Sequence, residues 1–178
     1  MQNLEFRDMN IDEVLLMRSW GVNSNPLLKS YDFWPRTEEE CKYWHHEKTK
    51  DFRNKYFVYM YEKDVICYIS IKNIKKNYNS TLGIVMDPRY QDRGVGSFIL
   101  KDFIKKYKKM GFKKMELKVD LFNKRAIHLY KKLGFVTRAK TISIFDGKRE
   151  DISPNMRKYF FIAPGIILSK CLIMEVRL

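Results

Sequence analysis

A mixed α/β fold is what the order of hydrophobic patterns along this chain predicts, and three observations carry the prediction. Apolar residues fill two β-rich runs in "KYFVYMYEKDVICYISIKN" and alternate with polar ones at Met115, Leu117 and Val119. They recur at helical spacing in "SFILKDFIKKYKKM" and "NKRAIHLYKKLGF". The two periods take turns along the chain instead of segregating into halves. A length of 178 residues with 45% hydrophobic and 15% aromatic content fits one domain, 1–178, built on a sizeable core.

Each element has its own signature. "LEFRDM" alternates like a short strand, and "IDEVLLMRSW", from Ile11 to Trp20, has helical spacing that ends near Gly21. The loop "GVNSNPLLKSYDFWPR" follows, and Thr37 with Glu40 three residues later is a capping box that opens a second helix, "TEEECKYWHHEKTK". The next β-rich stretch divides at Glu62-Lys63-Asp64 into a hairpin, and "IKKNYNS" makes the following turn. "TLGIVM", Thr81 to Met86, is a nearly continuous apolar run that suits a buried central strand, ended by Pro88. A helix over Ser97–Met110 carries Phe98, Ile99, Phe103, Tyr107 and Met110, and a strand through Met115–Val119 follows it. The next helix sets Ala126, Ile127, Tyr130 and Leu133 on one face and stops at Gly134. The rest is strand-rich, so the predicted order is βαα-βββ-α-β-α-ββ, with no repeat or linker.

Composition excludes several classes. No run approaches the roughly 20 apolar residues of a membrane helix, because "YFFIAPGIIL" is broken by Pro164 and Gly165. "MQNLEFRDMN" lacks the basic and apolar regions of a signal peptide, so a cytoplasmic protein is expected. Cys41, Cys67 and Cys171 are odd in number and unpaired in spacing, which suggests neither a disulfide framework nor a metal site. The formal charge of +14 admits nucleic acid, a membrane surface or a polyanionic small molecule. Yet the lysines of "KDFIKKYKKMGFKK" fill the positions left by an apolar stripe, as on a solvated face, which does not favour nucleic acid.

"VMDPRYQDRGVGSFIL" sets Gly94 and Gly96 between a strand and a helix. Such a turn aims unpaired backbone N–H groups and the positive end of a helix dipole at one point, and that point favours an anion. Glycine lets a phosphate approach the main chain without meeting a Cβ. Neither standard nucleotide motif fits: Gly96 is followed by Ser97-Phe98 instead of Lys-Ser/Thr, and position 99 is Ile where a dinucleotide fingerprint needs glycine. Taken alone, the turn could equally be an ordinary helix start.

The order V-x-D-P-x-x-Q-x-x-G-x-G, a helix, a strand, and then N-x-R-A-I-x-L-Y-x-K-L-G-F closely resembles the GCN5-related N-acetyltransferase superfamily over Leu82–Phe135. The resemblance implies a mostly antiparallel central sheet, splayed at the cofactor site and flanked by about four helices. It implies acetyl-CoA as cosubstrate, with the backbone from Gln91 through Asp92, Arg93, Gly94, Val95 and Gly96 to Ser97 holding the pyrophosphate. Ile84, Val85 and Met86 would pair with the pantetheine arm, and an N–H near Ile84 would serve the developing oxyanion. Asn123 would cap its helix, contact pantetheine, or do both. Tyr130 would be the general acid for the departing thiolate, its other reading being a core aromatic.

The same resemblance sets Tyr31, Phe33 and Trp34, with Asp32, beside the acceptor amine, the alternative being that these residues anchor their loop. Many family members carry a glutamate just before the L-G-I of the central strand, where this chain has Ser80-Thr81; Glu116 or a C-terminal acid could relay the proton instead. A basic chain offers little to a polycation, so a peptide or protein N-terminus, with an amine pKa near 8, is preferred to a polyamine among primary amines. The rival reading is a non-catalytic acyl-CoA-binding or regulatory module. A homodimer could form if the tail from Phe160 donates a strand edge.

Overall fold

A computed structural model of the chain describes residues 4–74 and 80–178. Its strands are β1 (Leu4–Asp8), β2 (Lys55–Tyr61), β3 (Asp64–Lys72), β4 (Thr81–Met86), β5 (Lys114–Asp120), β6 (Val136–Ile144), β7 (Phe160–Ala163) and β8 (Ile166–Arg177). Its α-helices are α1 (Ile11–Leu16), α2 (Glu38–Thr49), α3 (Val95–Lys109) and α4 (Lys124–Lys132). The strands form one sheet in the order β1-β2-β3-β4-β5-β8-β6, with β7 alongside β8. Pairing is antiparallel except between β4 and β5.

Local chemistry sets the helix ends. Thr37 Oγ1 accepts from the Glu40 N–H at 3.2 Å while the Glu40 carboxylate accepts from the Thr37 N–H at 3.0 Å, so two donors without helical partners are satisfied reciprocally at the start of α2. The Arg36 N–H, donating at 2.7 Å, and then the Thr37 N–H hold the Glu40 carboxyl below its ordinary pKa. Asn123 caps α4, its Oδ1 accepting from the Ala126 N–H at 3.1 Å. Gly134 follows α4 at φ +88°, a left-handed position that glycine adopts without a Cβ clash.

The sheet is covered on both faces. On one, Ile99, Leu100, Phe103 and Tyr107 of α3 and Ile127 and Tyr130 of α4 pack on Ile69, Ile71, Met115 and Leu117. On the other, Val14 of α1 and Cys41 and Trp44 of α2 pack on Tyr56, Val58 and Met60. Period-two alternation in β2 and β3 supplies both faces from the same strands.

β4 and β5 are in register only at Thr81↔Glu116 and Leu82↔Leu117, and beyond these pairs they diverge. Their ends are tied to different neighbours. Asp87, fully buried after β4, accepts from the Gly21 N–H at 3.1 Å, the Arg89 N–H at 3.0 Å and the Arg89 guanidinium at 2.9 and 2.6 Å, while its own N–H donates to Ile66 at 3.0 Å. Asp120, ending β5, instead accepts from Ser169 Oγ of β8 at 2.5 Å, and the Leu121 N–H donates to the Lys170 carbonyl at 2.8 Å.

Several elements differ from the sequence expectation. The first helix stops at Leu16 and continues only as a 3-10 turn, Met17–Ser19, because Trp20 turns away to bury its ring and donate from Nε1 to the Val65 carbonyl at 2.5 Å. The loop before α2 contains a 3-10 segment, Pro26–Tyr31, capped by Asn25. α3 starts at Val95, not Ser97, because the left-handed Gly94 is its N-cap. The C-terminal region has three strands where two were expected, with β7 and β8 joined as a hairpin at Pro164-Gly165. Within the tail from Phe160, β8 is paired on both sides and β7 pairs only with β8, while β6, with Ile142 and Ile144 exposed, also has one strand partner among the described residues. Within the turn expected over "IKKNYNS", residues 75–79 lie outside those described. Among the described residues, no helix is long and apolar enough to cross a membrane.

Asp87→Ala leaves the Gly21 and Arg89 donors without their acceptor, and urea denaturation is expected to show a loss of about 2–4 kcal/mol. A loss under about 1 kcal/mol would mean that Asp87 does not anchor the end of β4.

Candidate functional site

Where β4 and β5 part, a cleft of about 730 Å³ opens. Gly83, Ile84, Val85 and Met86 line it. On one side these residues pair with Ser70, Ile69, Tyr68 and Cys67 of β3. On the other they have no strand partner, so alternate N–H and C=O groups of β4 face the opening. An extended chain could add there as a strand does to a sheet edge.

The cleft runs to the glycine turn. Asp92 and Gly94 both sit in the left-handed region, at φ +59° and +75°, and such kinks turn successive amides toward one concavity. α3 begins at Gly94 with no side-chain cap and no acid in its first turn, so the N–H groups of Val95, Gly96 and Ser97 are left for an external acceptor. A Cβ on Gly94 would meet nothing within 4 Å, so that glycine answers to backbone conformation. A Cβ on Gly96 would sit 3.4 Å from Met86 Cε and 3.9 Å from Leu129 Cδ2, inside the cleft. The residues suit the pyrophosphate of an acyl-CoA at the turn and an extended pantetheine along β4.

The residues named from sequence divide by role. Gln91 lines the cleft, and its amide donates to the Met86 carbonyl at 3.3 Å. Asp92 and Arg93 are exposed, and Asp92 is ion-paired to Arg125 at 2.7 Å. The Val95 side chain is core, 7% exposed, so its contribution to the turn is its N–H. Asn123 is both cap and cleft wall, with Oδ1 held by the helix. Tyr130 also serves both readings. It packs against Phe135, ring centroids 5.7 Å apart, and lines the cleft. Its hydroxyl has no hydrogen-bond partner among the described residues, and burial, then the Cys67 thiol, pushes the phenol up to about 12.

The three aromatic residues before α2 separate. Phe33 is 4% exposed, wedged between Trp20 at 6.1 Å and Trp44 at 5.3 Å, so it chiefly anchors the loop. Trp34 is exposed on the cleft wall. Tyr31 also lines the cleft, and its hydroxyl donates to Asp120 Oδ2 at 2.9 Å. Burial and the Asp120 carboxylate hold this phenol well above its ordinary pKa.

Neither proposed proton relay stands in the cleft. Glu116 lines a separate cavity of about 410 Å³. The C-terminal acid Glu175 is ion-paired to Lys114 at 2.9 Å and Arg138 at 3.1 Å, and Lys114 foremost holds its carboxyl low. The sequence reading also missed two functional residues. Arg125 clamps the turn from α4, donating to Asp92 at 2.7 Å and to Gln91 at 2.5 Å. Asp120 gathers Tyr31, Ser169 and the Cys171 thiol. Arg125 stands inside the quoted N-x-R-A motif, so its position was visible although its partners were not; Asp120 carries no motif signal.

Known proteins agree with this architecture. The acetyltransferase (GNAT) family profile matches residues 23–135. An uncharacterized N-acetyltransferase from Methanocaldococcus jannaschii is 39% identical over 66 residues, 36% of this chain, and the match spans only 29% of that relative's length. The structure of spermidine N-acetyltransferase from Vibrio cholerae in complex with CoA and spermine has a TM-score of 0.73 at 17% identity, covering 99% of this chain and 96% of that one. A GNAT-family acetyltransferase from Streptococcus pneumoniae has a TM-score of 0.62 at 18% identity, covering 99% and 100%. At such identities the structural likeness is one of fold.

The two glycines of the turn are expected to fail differently. Gly94→Ala places a Cβ in the left-handed region and costs about 1 kcal/mol in thermal or urea denaturation. Gly96→Val leaves stability near wild type but, by filling the cleft, weakens coenzyme A binding by calorimetry at least ~10-fold. Unchanged affinity in Gly96→Val would remove the turn from the binding site.

Proposed function

Because this chain belongs to the acetyltransferase (GNAT) family, we propose that it is an acetyl-CoA-dependent N-acetyltransferase acting on a primary amine by direct attack in a ternary complex. The observation that carries this reading is the continuity of the open β4 edge, the uncapped start of α3 and the unpartnered Tyr130 hydroxyl within one cleft. Coenzyme A supplies an acetyl thioester, and the chain has three tasks around it.

The first task is orientation. β4 pairs with the pantetheine amides, and the amides of residues 94–97 hold the pyrophosphate, braced by Arg125. The second is to stabilise charge on the carbonyl oxygen, which falls to an N–H near Ile84 on the unpaired edge. The third is proton management. As the new C–N bond forms and the C–S bond breaks, Tyr130 gives its phenolic proton to the leaving thiolate. The surplus proton on nitrogen then returns to the phenolate through water, so the enzyme ends as it began. A phenol pushed up to about 12 is fully protonated at neutral pH and ready as an acid.

An alkylamine is neutral in only roughly one molecule in 2,500 at pH 7, so deprotonation has to be helped or the amine has to be a weaker base. In this reading water takes the proton from the amine, and Tyr31 orients the amine. The Tyr31 proton is committed to Asp120, which leaves the phenol oxygen lone pairs free to accept a hydrogen bond from the incoming nitrogen. A peptide or protein N-terminus eases the same step through its lower pKa.

Tyr130→Phe is expected to lower kcat by ~10²-fold while leaving coenzyme A affinity within about twofold in calorimetry. Unchanged turnover would remove Tyr130 from the acid role. The pH profile supplies a second test. With the acid protonated well into the alkaline range, kcat/KM for an alkylamine should rise with about unit slope as the free base forms and show no falling limb below about pH 10. A fall near pH 8 would assign the acid to another group. Stoichiometric acetyl-CoA binding without transfer to any amine would favour the non-catalytic module.

A further inference from the structure

The floor of the cleft beyond the thioester position is built in cross-strand rows. Tyr56 of β2, Ser70 of β3 and Gly83 of β4 stand side by side, since Tyr56 is registered with Ser70 and Ser70 with Gly83. One row further along the same face, Lys72 stands beside Thr81. Tyr68 sits on that face as well, and Lys48 reaches in from α2 with its ammonium 5.4 Å from the Trp44 ring centroid.

These polar groups are unsatisfied within the protein. Ser70 is 2% exposed and lines the cleft, yet its hydroxyl has no hydrogen-bond partner among the described residues. The missing side chain at position 83 keeps it open, because a Cβ there would lie 2.5 Å from Ser70 Oγ. Tyr56 and Tyr68 also line the cleft, their hydroxyls have no hydrogen-bond partner among the described residues, and Tyr56 lies within the influence of the Asp51 carboxylate. Neither Lys48 nor Lys72 has an ion pair there, although both are half-buried. Burial and the nearby Lys48 charge both hold the Lys72 ammonium below its ordinary pKa, the mark of uncompensated positive charge. Of the acids that line the cleft, Asp92 is ion-paired to Arg125, while Asp32 keeps its charge and accepts from the neutral Asn23 N–H groups at 2.8 and 2.6 Å.

Two half-buried cations without counter-ions among the described residues, beside three hydroxyl groups without hydrogen-bond partners there, make the Lys48/Lys72 end of the cleft complementary to an anion. We infer that the acceptor is an anionic amine, whose carboxylate or phosphate binds at the Lys48/Lys72 end of the cleft while its nitrogen meets the thioester. The inference rests on the acetyltransferase reading above and names its substrate class. From the Ile84 peptide to the Thr81 row is two to three residues, roughly 7–10 Å at strand rise, so amine and anion should be separated by a chain of several bonds.

The test uses the full chain, saturating acetyl-CoA and acceptors of matched length: 6-aminohexanoate, 6-aminohexylphosphonate, n-hexylamine and spermidine. The anionic acceptors should exceed hexylamine and spermidine at least ~10-fold in kcat/KM, the scale of one charge-assisted hydrogen bond. Lys72→Met and Lys48→Met should remove that advantage through KM while leaving kcat/KM for hexylamine unchanged. The ratio of the two anionic probes assigns carboxylate or phosphate. A preference for spermidine, or an equal loss for every acceptor in the lysine variants, would overturn the inference.

A binding experiment separates its failure from failure of the catalytic reading. Calorimetric titration of the coenzyme A complex with hexanoate or hexylphosphonate, neither of which has an amine, needs no turnover. Lys72-dependent binding without acetyl transfer would leave the anion site standing and sink the enzyme assignment. Transfer to amines with no Lys72-dependent anion binding would do the reverse.

Discussion

The parting of β4 from β5 is the constraint on which the rest of this structure depends. Two parallel pairs, at Thr81 and Leu82, hold the strands together at one end. At the other, the buried Asp87 fastens β4 to the segment after α1, and Asp120 fastens β5 to β8. A sheet that closed fully would satisfy the main-chain groups of Gly83–Met86 internally and leave no edge for a ligand. Held apart, the same groups become a binding surface with fixed geometry, and no side chain has to be ordered to form it.

The opening gathers several separate features around one volume. The glycine turn lies at the C-terminal end of β4, so the start of α3 and the free strand edge act on the same extended molecule. α4 begins after β5, on the opposite lip, and brings Asn123, Arg125 and Tyr130 to face them. Arg125 joins the lips by bridging to the turn, which couples the position of Tyr130 to that of the uncapped amides at the start of α3. Glycine has two distinct uses here. Gly94 supplies a left-handed backbone angle, while Gly83 and Gly96 supply space, one over Ser70 and the other beside Met86 and Leu129.

Charge is distributed along the cleft with a purpose that net charge conceals. Most of the basic excess lies on solvated helix faces and says little about partners. The informative charges are the few that lack counter-ions within the cleft, because a half-buried ammonium without a partner incurs a desolvation cost that a ligand can relieve. Asp120 accepts from three neutral donors, Tyr31, Ser169 and Cys171, while the Lys48 and Lys72 ammonium groups have no ion pair among the described residues.

The sequence by itself determined the parts whose physics is local. The capping box at Thr37 and Glu40, the turn at Glu62-Lys63, the stop at Gly134, the strand Thr81–Met86 and the apolar stripes of α3 and α4 follow from propensities and periods spanning fewer than about 15 residues. The family was legible too, because its two motifs are contiguous stretches in which glycine, asparagine and tyrosine have defined places. What only the tertiary structure decided is whatever depends on distant segments meeting. The early end of α1 was set by Trp20 reaching Val65, and the interior place of β8 by pairing with both β5 and β6. The division of Tyr31, Phe33 and Trp34 into a polar partner, an anchor and an exposed wall was decided in the same way. Asp120 and Arg125 belong here because their partners lie tens of residues away, and Lys48 and Lys72 because segments far apart in sequence bring them into one cleft. Burial, and the absence of a counter-ion, are properties of a packed environment that no local pattern encodes.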